Sequence, residues 1–316
     1  MQTKVDQTYI DDPLRILRCI RMSCKFGFTI SDETYKAMKR NVQRLKIITK
    51  ERIQAEFNKI LMSENAVMGI NMLHDIGAMS FIVPEFEKCY GLTQNRFHFG
   101  DVAEHTLAVL DYHCKHFDAD LTERLACFLH DIGKIMTRSV KDGKVHFYDH
   151  EYVGAEMAGD ILRELKYDND TIKKVQFLIR NHMRTKQAGD GAKYMKDKSL
   201  HKLLYECKTF EMFKSLMRII ECDNEAHAKD CCIHNQYSEL VAKVELEGSH
   251  SKMFGYKLPV TGEDIMSVLG LEPGPVIAEI NKRLLNQAFL DPEISRGRCI
   301  QLLPGIKKQA EQVLKK

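Results

Sequence analysis

Two His-Asp-Ile-Gly tetrapeptides occur in the chain, His74-Asp75-Ile76-Gly77 and His130-Asp131-Ile132-Gly133. An imidazole beside a carboxylate can hold a divalent ion or relay a proton. Among thirteen histidines, however, on the order of one His-Asp pair arises by chance, so the surroundings must separate the copies. The residues before the second copy, Leu125-Ala126-Cys127-Phe128-Leu129, carry no polar side chain, which predicts a helix buried on all sides and ending at Gly133. His130 and Asp131 are thereby carried into the interior. Burying both is costly unless partners satisfy them, and a metal ion satisfies the two groups at once.

Four further residues stand where core residues belong. His105 lies in the first turn of a helix that Asp101 and Glu104 open as a capping box, on the face of Val109 and Tyr112. His150 heads the stripe Val153, Met157, Ile161; His182 closes Ile172, Val175, Ile179; Asp223 continues Leu216, Ile219, Ile220. Singly, each histidine reads as a hydrogen-bonded core or surface residue. Together, five helices each aim a ligand-type side chain at the core, and the set reads as a metal centre. His105, His130, Asp131 and Asp223 would hold one divalent ion, and this donor set suits Mn, Fe, Co, Ni, Zn or Mg without choosing among them. His150 and His182 complete a second site or touch the substrate. Such an ion lowers the pKa of bound water toward neutrality, so phosphoester hydrolysis is the expected chemistry. Lys134, Arg180 and Arg184 are placed to neutralise phosphate oxygens; the alternative for these cations is compensation of helix C-terminal charge. His74 and Asp75 have no matching set and are followed by the turn around Pro84, so that copy is read as structural.

The elements that position these residues read as helices nearly throughout, because apolar spacing of three and four dominates and 141–148 is the one plausible short ribbon. With 316 residues, 44% apolar and 29% charged, the chain is a folded globular protein of two or three domains rather than a disordered or fibrous one. Breaks at Gly27, 91–100, 186–191 and 248–259 suggest a leading helical piece, a central bundle and a C-terminal segment of short helices. Cys19, Cys24, Cys114, Cys127 and Cys222 sit in apolar-periodic stretches and read as reduced core residues, and Cys231-Cys232 lacks the paired spacing of a zinc site. No apolar run is long enough to span a membrane and the N-terminus is polar, so no membrane partner and a cytoplasmic location are expected. A net charge of +3 leaves any nucleic-acid binding to local stripes. One such stripe lies on a helix of about residues 12 to 26: wound at roughly 100 degrees per residue, Ile16, Leu17, Ile20 and Cys24 share one arc, and Arg15, Arg18, Arg21 and Lys25 share another. That arc could follow a phosphate backbone, or be simply a solvated face.

In this order, His105, His130-Asp131-Ile132-Gly133-Lys134, His150, His182 and Asp223 resemble the signature of the HD-domain metal-dependent phosphohydrolases. The resemblance implies a helical bundle holding one or two divalent ions through His105, His130, Asp131 and Asp223. The flanks resemble the bacterial tRNA nucleotidyltransferases (CCA-adding enzymes) and poly(A) polymerases over nearly the whole chain. Asp11-Asp12-Pro13-Leu14-Arg15-Ile16-Leu17-Arg18 is similar to that family's neck motif, in which an acidic pair and an arginine read the incoming nucleobase; Asp12 and Arg15 match, while Asp11 stands where glutamate is usual. Glu51-Arg52-Ile53 with Glu56 resembles the next neck motif, and Gly262-Glu263-Asp264-Ile265-Met266 with Pro273-Gly274-Pro275 resembles the tail that grips tRNA.

The resemblance implies an all-α, multi-helical protein whose HD-domain bundle is flanked by neck/body and tail helices: a neck at 1–62, body helices at 63–97, the HD phosphohydrolase domain at 98–232 and a tRNA-binding tail at 233–316. Asp12 and Arg15 would contact a nucleobase, and Arg15, Arg18, Arg21, Lys25 and Arg52 would contact RNA. The family's catalytic head should precede the neck, whereas only ten residues precede Asp11, and no Gly-Ser followed by Asp-x-Asp is present. Asp118-Ala119-Asp120 has that spelling but no preceding strand or glycine loop to cradle a triphosphate. The expectation is therefore a chain that does not add nucleotides alone: a headless portion, a gene fragment, or one half of a split enzyme working with a separate nucleotidyltransferase head chain. It would bind RNA, tRNA above all, and hydrolyse phosphoesters such as RNA 3′-end or cyclic phosphates and nucleotides. His130, Asp131, Lys134 and Arg184 would act at the reacting phosphate. The alternative, from another class, is a non-catalytic tRNA-binding module whose HD site is a structural or empty one.

Overall fold

The computed structural model describes residues 4–94, 100–185, 195–227, 236–246 and 248–314; the break read at 186–191 and the pair Cys231-Cys232 lie outside them. In chain order the helices are α1 (Lys4–Asp11), α2 (Leu14–Phe26), α3 (Asp32–Asn41), α4 (Lys50–Leu61), α5 (Ala66–Asp75), α6 (Met79–Ile82), α7 (Val102–His116), α8 (Leu121–Leu129) and α9 (Lys134–Thr137). After the strands β1 (Arg138–Lys141) and β2 (Lys144–Phe147) come α10 (His150–Glu164), α11 (Asn169–Asn181), α12 (Asp197–Cys207), α13 (Phe210–Glu225), α14 (Gln236–Leu246), α15 (Gly248–Ser251), α16 (Gly262–Leu269), α17 (Pro275–Ala288) and α18 (Arg296–Leu314). The fold is thus all-α with one antiparallel ribbon. None of the described helices is long and apolar enough to cross a membrane.

The chain divides into two compact units, Met1–Gln187 with Ser215–Asn235, and Ala188–Lys214 with Gln236–Lys316. In the first unit α2 packs on α4 and α5, α7 on α8, and α11 on both α8 and α10. The second unit has its own apolar core, in which Ile265 of α16, Ile280 and Leu284 of α17 and Cys299 and Leu303 of α18 are wholly buried.

Local chemistry accounts for the element ends. Ile16, Leu17, Ile20 and Cys24 of α2 are buried while Arg15, Arg18 and Lys25 are exposed and Arg21 half-buried, and the helix stops at Gly27 with a left-handed φ of 69°. Asp101 and Glu104 form the capping box of α7 in both directions. Asp120 caps α8 by accepting from the Glu123 amide, which is the role of the second aspartate in Asp118-Ala119-Asp120.

Three expectations need correction. Helix α8 ends at Leu129, not Gly133: beyond it Ile132 N–H donates to Leu129 O at 3.1 Å and Lys134 N–H to Asp131 O at 2.9 Å. These three-residue steps make a tight turn whose side chains stay buried, so an apolar pattern cannot tell it from helix. The buried face of α10 is His150, Gly154, Ala155, Ala158, Ile161 and Leu162 rather than the stripe through Val153 and Met157, both of which are half-buried; small residues let α10 lie close to its neighbours, and hydrophobicity undervalues them. The ribbon begins at Arg138, three residues before the position expected, because its first strand is exposed along its length and shows no apolar alternation. Its two-residue turn, Asp142 and Gly143, takes φ of 51° and 71°, the left-handed pair that joins twisted strands without splaying them.

Candidate metal centre

The polar residues predicted to face the core of the first unit do so, and they converge. Capped α7 delivers His105, the turn after α8 delivers His130 and Asp131, α10 opens with His150, His182 follows the last residue of α11, and α13 carries Asp223. Gly133 fixes the approach of α10 to the turn: a Cβ there would sit 2.2 Å from His150 O and 2.5 Å from Gly154 N, closer than any side chain allows. Helices α7 and α13, which carry His105 and Asp223, and α8, which leads into His130, are tied by a buried carboxylate outside the centre. Glu123 of α8 lies 2.8 Å from His113 Nε2 of α7 and accepts from Ser215 Oγ at 2.6 Å and Arg218 Nη1 at 2.9 Å, both on α13.

All six side chains are at least nine-tenths buried. His105 Nε2 lies 3.1 Å from Asp223 Oδ1 and 3.5 Å from Asp131 Oδ2, and His130 Nε2 lies 3.2 Å from Asp131 Oδ2 and 3.9 Å from Asp223 Oδ1. The other Asp131 oxygen, Oδ1, faces His150 Nε2 at 3.4 Å. Single donor atoms of His105, His130 and Asp223 all lie within 4.8 Å of one another, as do those of Asp131, His150 and His182. The geometry therefore makes two triads, with Asp131 turning one oxygen to each, where the sequence suggested a set of four plus two.

Three of the imidazoles are aimed in the same manner. Nδ1 of His130, His150 and His182 donates to the carbonyls of Cys127, Phe147 and Ile179 at 2.9, 2.8 and 2.6 Å. A carbonyl can only accept, so Nδ1 carries a proton in each and Nε2 faces inward, where its lone pair can ligate a metal once the ring is neutral. Burial pushes His182 down to about 3, helped by His150 and His130, and pushes His105 down to about 4 against the pull of Asp223. Burial also opposes charge on His130, but the carboxylates of Asp131 and Asp223 outweigh it and hold that imidazole above its ordinary value. Asp131 is held well below the usual carboxylate range: burial would raise it, and His130 and Lys134 overcome that. His130 Nε2 and Asp131 Oδ2 are buried and make no hydrogen bond of good geometry among the described residues. A buried His130 Nε2 without a hydrogen bond, among neutral imidazoles and ionised carboxylates, fits a bound divalent cation.

Lys134 is buried, with Nζ 2.6 Å from Asp131 Oδ2, and donates to Gln94 Oε1 at 2.7 Å. Arg184, half-buried, lies in the turn after α11, where its N–H donates to Asn181 O at 3.0 Å. Arg180 instead pairs with Glu156 of α10 at the surface. Gln94 and Glu151 were not anticipated; Glu151 Oε2 lies 3.5 Å from His150 Nδ1. His227, just past the end of α13 with its ring centroid 5.5 Å from that of His105, was missed too, because no helical spacing reaches beyond Glu225. The first tetrapeptide is occupied elsewhere: His74 lies 2.7 Å from Glu87 Oε2 and stacks on Tyr90, and Asp75 accepts from Tyr35 Oη at 2.7 Å.

In the neck segment Asp12 Oδ1 accepts from the Leu14 amide at 3.2 Å and lies 3.5 Å from Arg52 Nη2. Arg15 Nη1 donates to Thr8 O at 3.4 Å. Arg18 and Arg21 reach the buried Glu56 of α4, Nε to carboxylate 3.4 and 2.9 Å, which leaves Arg15 and Lys25 as the stripe's outermost cations.

A helical bundle that brings together a histidine, a His-Asp pair, two more histidines and an aspartate is an HD domain, and residues 102–211 match the HD domain family. That match ends before Asp223, which only the fold brings to His105. Residues 27–90 match a family described as "Probable RNA and SrmB- binding site of polymerase A". The chain is a relative of the tRNA nucleotidyltransferases. It is 29% identical over 283 residues to the A-adding tRNA nucleotidyltransferase of Deinococcus radiodurans, covering 86% of this chain and 63% of that protein. It is 27% identical over 293 residues to the CC-adding tRNA nucleotidyltransferase of Thermus thermophilus, covering 89% and 63%. The chain thus spans less than two thirds of these curated relatives, over their C-terminal portion. The crystal structure of the Bacillus stearothermophilus CCA-adding enzyme in complex with CTP shares the fold, with a TM-score of 0.64 at 15% identity over 98% of this chain and 65% of that one.

Proposed function

We propose that this chain binds tRNA and hydrolyses phosphoesters at the HD centre with a divalent metal ion. The observation that carries the reading is the pair of adjoining buried triads, with Asp131 turning one oxygen to each and His130 Nε2 buried without a hydrogen bond. His105, His130, Asp131 and Asp223 would hold an ion, and His150 and His182 would hold a second or meet the phosphate. When bound, the ion would lower the pKa of water and polarise the phosphoryl group. Lys134 holds Asp131 ionised and in place, and Arg184 at the rim balances charge on the phosphoryl oxygens. The tRNA half of the proposal rests on the matched RNA-binding segment and on the names of the relatives, with Asp12 and Arg15 meeting a nucleobase and Arg15, Arg18, Arg21, Lys25 and Arg52 meeting the backbone. The neck at 1–62, body at 63–97, HD domain at 98–232 and tail at 233–316 are the corresponding functional divisions.

A second reading, a non-catalytic RNA-binding module, is favoured by Lys134, whose ammonium at 2.6 Å already gives Asp131 a counter-charge. One experiment separates the two: elemental analysis of the purified chain beside a screen of RNA 3′-end and cyclic phosphates and nucleotides with Mn, Ni, Co, Fe, Mg and Zn. Metal-dependent turnover that Asp131→Ala abolishes supports the phosphohydrolase. RNA binding without turnover in any ion, or turnover that survives Asp131→Ala, overturns it.

A further inference from the structure

The ribbon is spliced into the chain between Asp131 and His150, and holding ligands does not explain its outer face. Strand register sorts its side chains. Arg138 pairs with Phe147 and Val140 with Val145 on one face, and Ser139 pairs with His146 and Lys141 with Lys144 on the other. The first face turns toward the centre: the Phe147 ring lies 5.4 Å from Lys134 Nζ, and the Phe147 carbonyl accepts from His150. The second face carries two exposed lysines directly opposite each other, and neither forms an ion pair among the described residues. Beside them His146 stacks on Tyr148, ring centroids 5.1 Å apart and planes within 7°, with Tyr148 61% exposed. Like charges opposed across a ribbon destabilise it, and so exposed a tyrosine contributes little burial. These residues do not serve the ribbon's own stability. They suit a ligand with regularly spaced anions and flat rings.

We propose that this face docks a single-stranded RNA segment, with Lys141 and Lys144 on phosphates and the His146–Tyr148 pair under an unstacked base. The substrate of the HD centre is then an RNA end rather than a free small phosphoester. Because the docking face is turned away from Lys134, it grips nucleotides short of the reacting end and not the end itself. The substrate assignment rests on the phosphohydrolase reading; the docking does not.

The test is fluorescence anisotropy of a short fluorescein-labelled oligo(A) on the whole chain, in EDTA and again with Mn, across a range of KCl. An Arg15→Ala, Lys25→Ala background keeps α2 from masking the ribbon. Replacing both lysines, Lys141→Gln with Lys144→Gln, should lower the slope of log affinity against log salt by about 1.4, since each single-strand phosphate contributes about 0.7. Tyr148→Ala should weaken binding about tenfold, and Tyr148→Phe, which keeps the ring, should restore it. Lys174→Gln, an exposed lysine on α11, should change nothing. Unaltered affinity in the ribbon variants, an equal loss from Lys174→Gln, or displacement of the RNA by polyglutamate as readily as by unlabelled oligo(A) would overturn the proposal. Binding read in EDTA does not need turnover, so a centre that hydrolyses nothing still leaves the docking result readable. RNA-end hydrolysis with ribbon variants that bind normally would keep the centre and sink the docking face.

Discussion

Gly133 and Gly77 occupy the same place in two copies of one tetrapeptide, yet each resists substitution for its own reason. Gly133 has no room, since a Cβ would strike His150 O at 2.2 Å; Gly77 has open space but a φ of 79°. Gly133→Ala should therefore cost about 1–3 kcal/mol by overpacking and also impair metal binding, because α10 must move away with His150. Gly77→Ala should cost about 1 kcal/mol of backbone strain and leave metal binding intact. Urea unfolding and metal titration of the two variants check this. The proton balance of the centre gives a second prediction. His105 and His182, near 4 and 3, have no proton to lose at neutral pH, whereas a proton on His130, favoured by Asp131 and Asp223 despite its burial, competes with an ion for Nε2. Calorimetric titration with Mn over a range of pH in buffers of different ionisation enthalpy should show proton release that fades as pH rises through His130's raised value.

At the scale of elements, Glu123 joins α7, α8 and α13, so its loss should loosen the frame that sets His105 against Asp223. Burial would raise its pKa, but His113, Ser215 and Arg218 win and hold it below 4.5. Its contribution is therefore full above that ordinary value and is lost as pH falls through the lower folded one. Glu123→Gln should cost about 3 kcal/mol at neutral pH, as breaking a buried ion pair does, and flatten the acid limb of stability followed by circular dichroism. On α2 the stripe divides by partner: Arg15→Ala and Lys25→Ala should each reduce the salt dependence of RNA binding, while Arg21→Ala, which strips the buried Glu56 of a partner at 2.9 Å, should chiefly lower stability. These elements also show what a sequence reveals. The six converging residues were legible because each is a polar side chain in, or at the end of, a largely apolar stretch. The α10 face was not, since glycine and alanine carry no hydrophobic signal, and β1 was not, since Arg-Ser-Val-Lys has no buried side. Gln94 and the two-triad division of Asp131 depend on distances that no spacing along the chain encodes.

Across the whole molecule, every proposed ligand belongs to the unit Met1–Gln187 with Ser215–Asn235, although 188–214 falls within that span of sequence and belongs to the other. The break read at 186–191 falls where the chain leaves the ligand-bearing unit, but the return at Ser215 lies inside α13 and leaves no compositional mark. In scanning calorimetry, a saturating divalent ion should raise the transition of the ligand-bearing unit, by about 2.7 kcal/mol at a hundred times Kd, and leave that of the unit built on Ile265, Ile280, Leu284 and Leu303 where it was. One further consequence follows from how His130, His150 and His182 are held, each by a carbonyl three residues back in its own backbone. No imidazole relies on another for its orientation, so exchanging one for asparagine leaves its fellows pointing as before. Such a centre is modular: it can be retuned a ligand at a time, the tolerance that lets one scaffold drift toward a different ion or reaction without first coming apart.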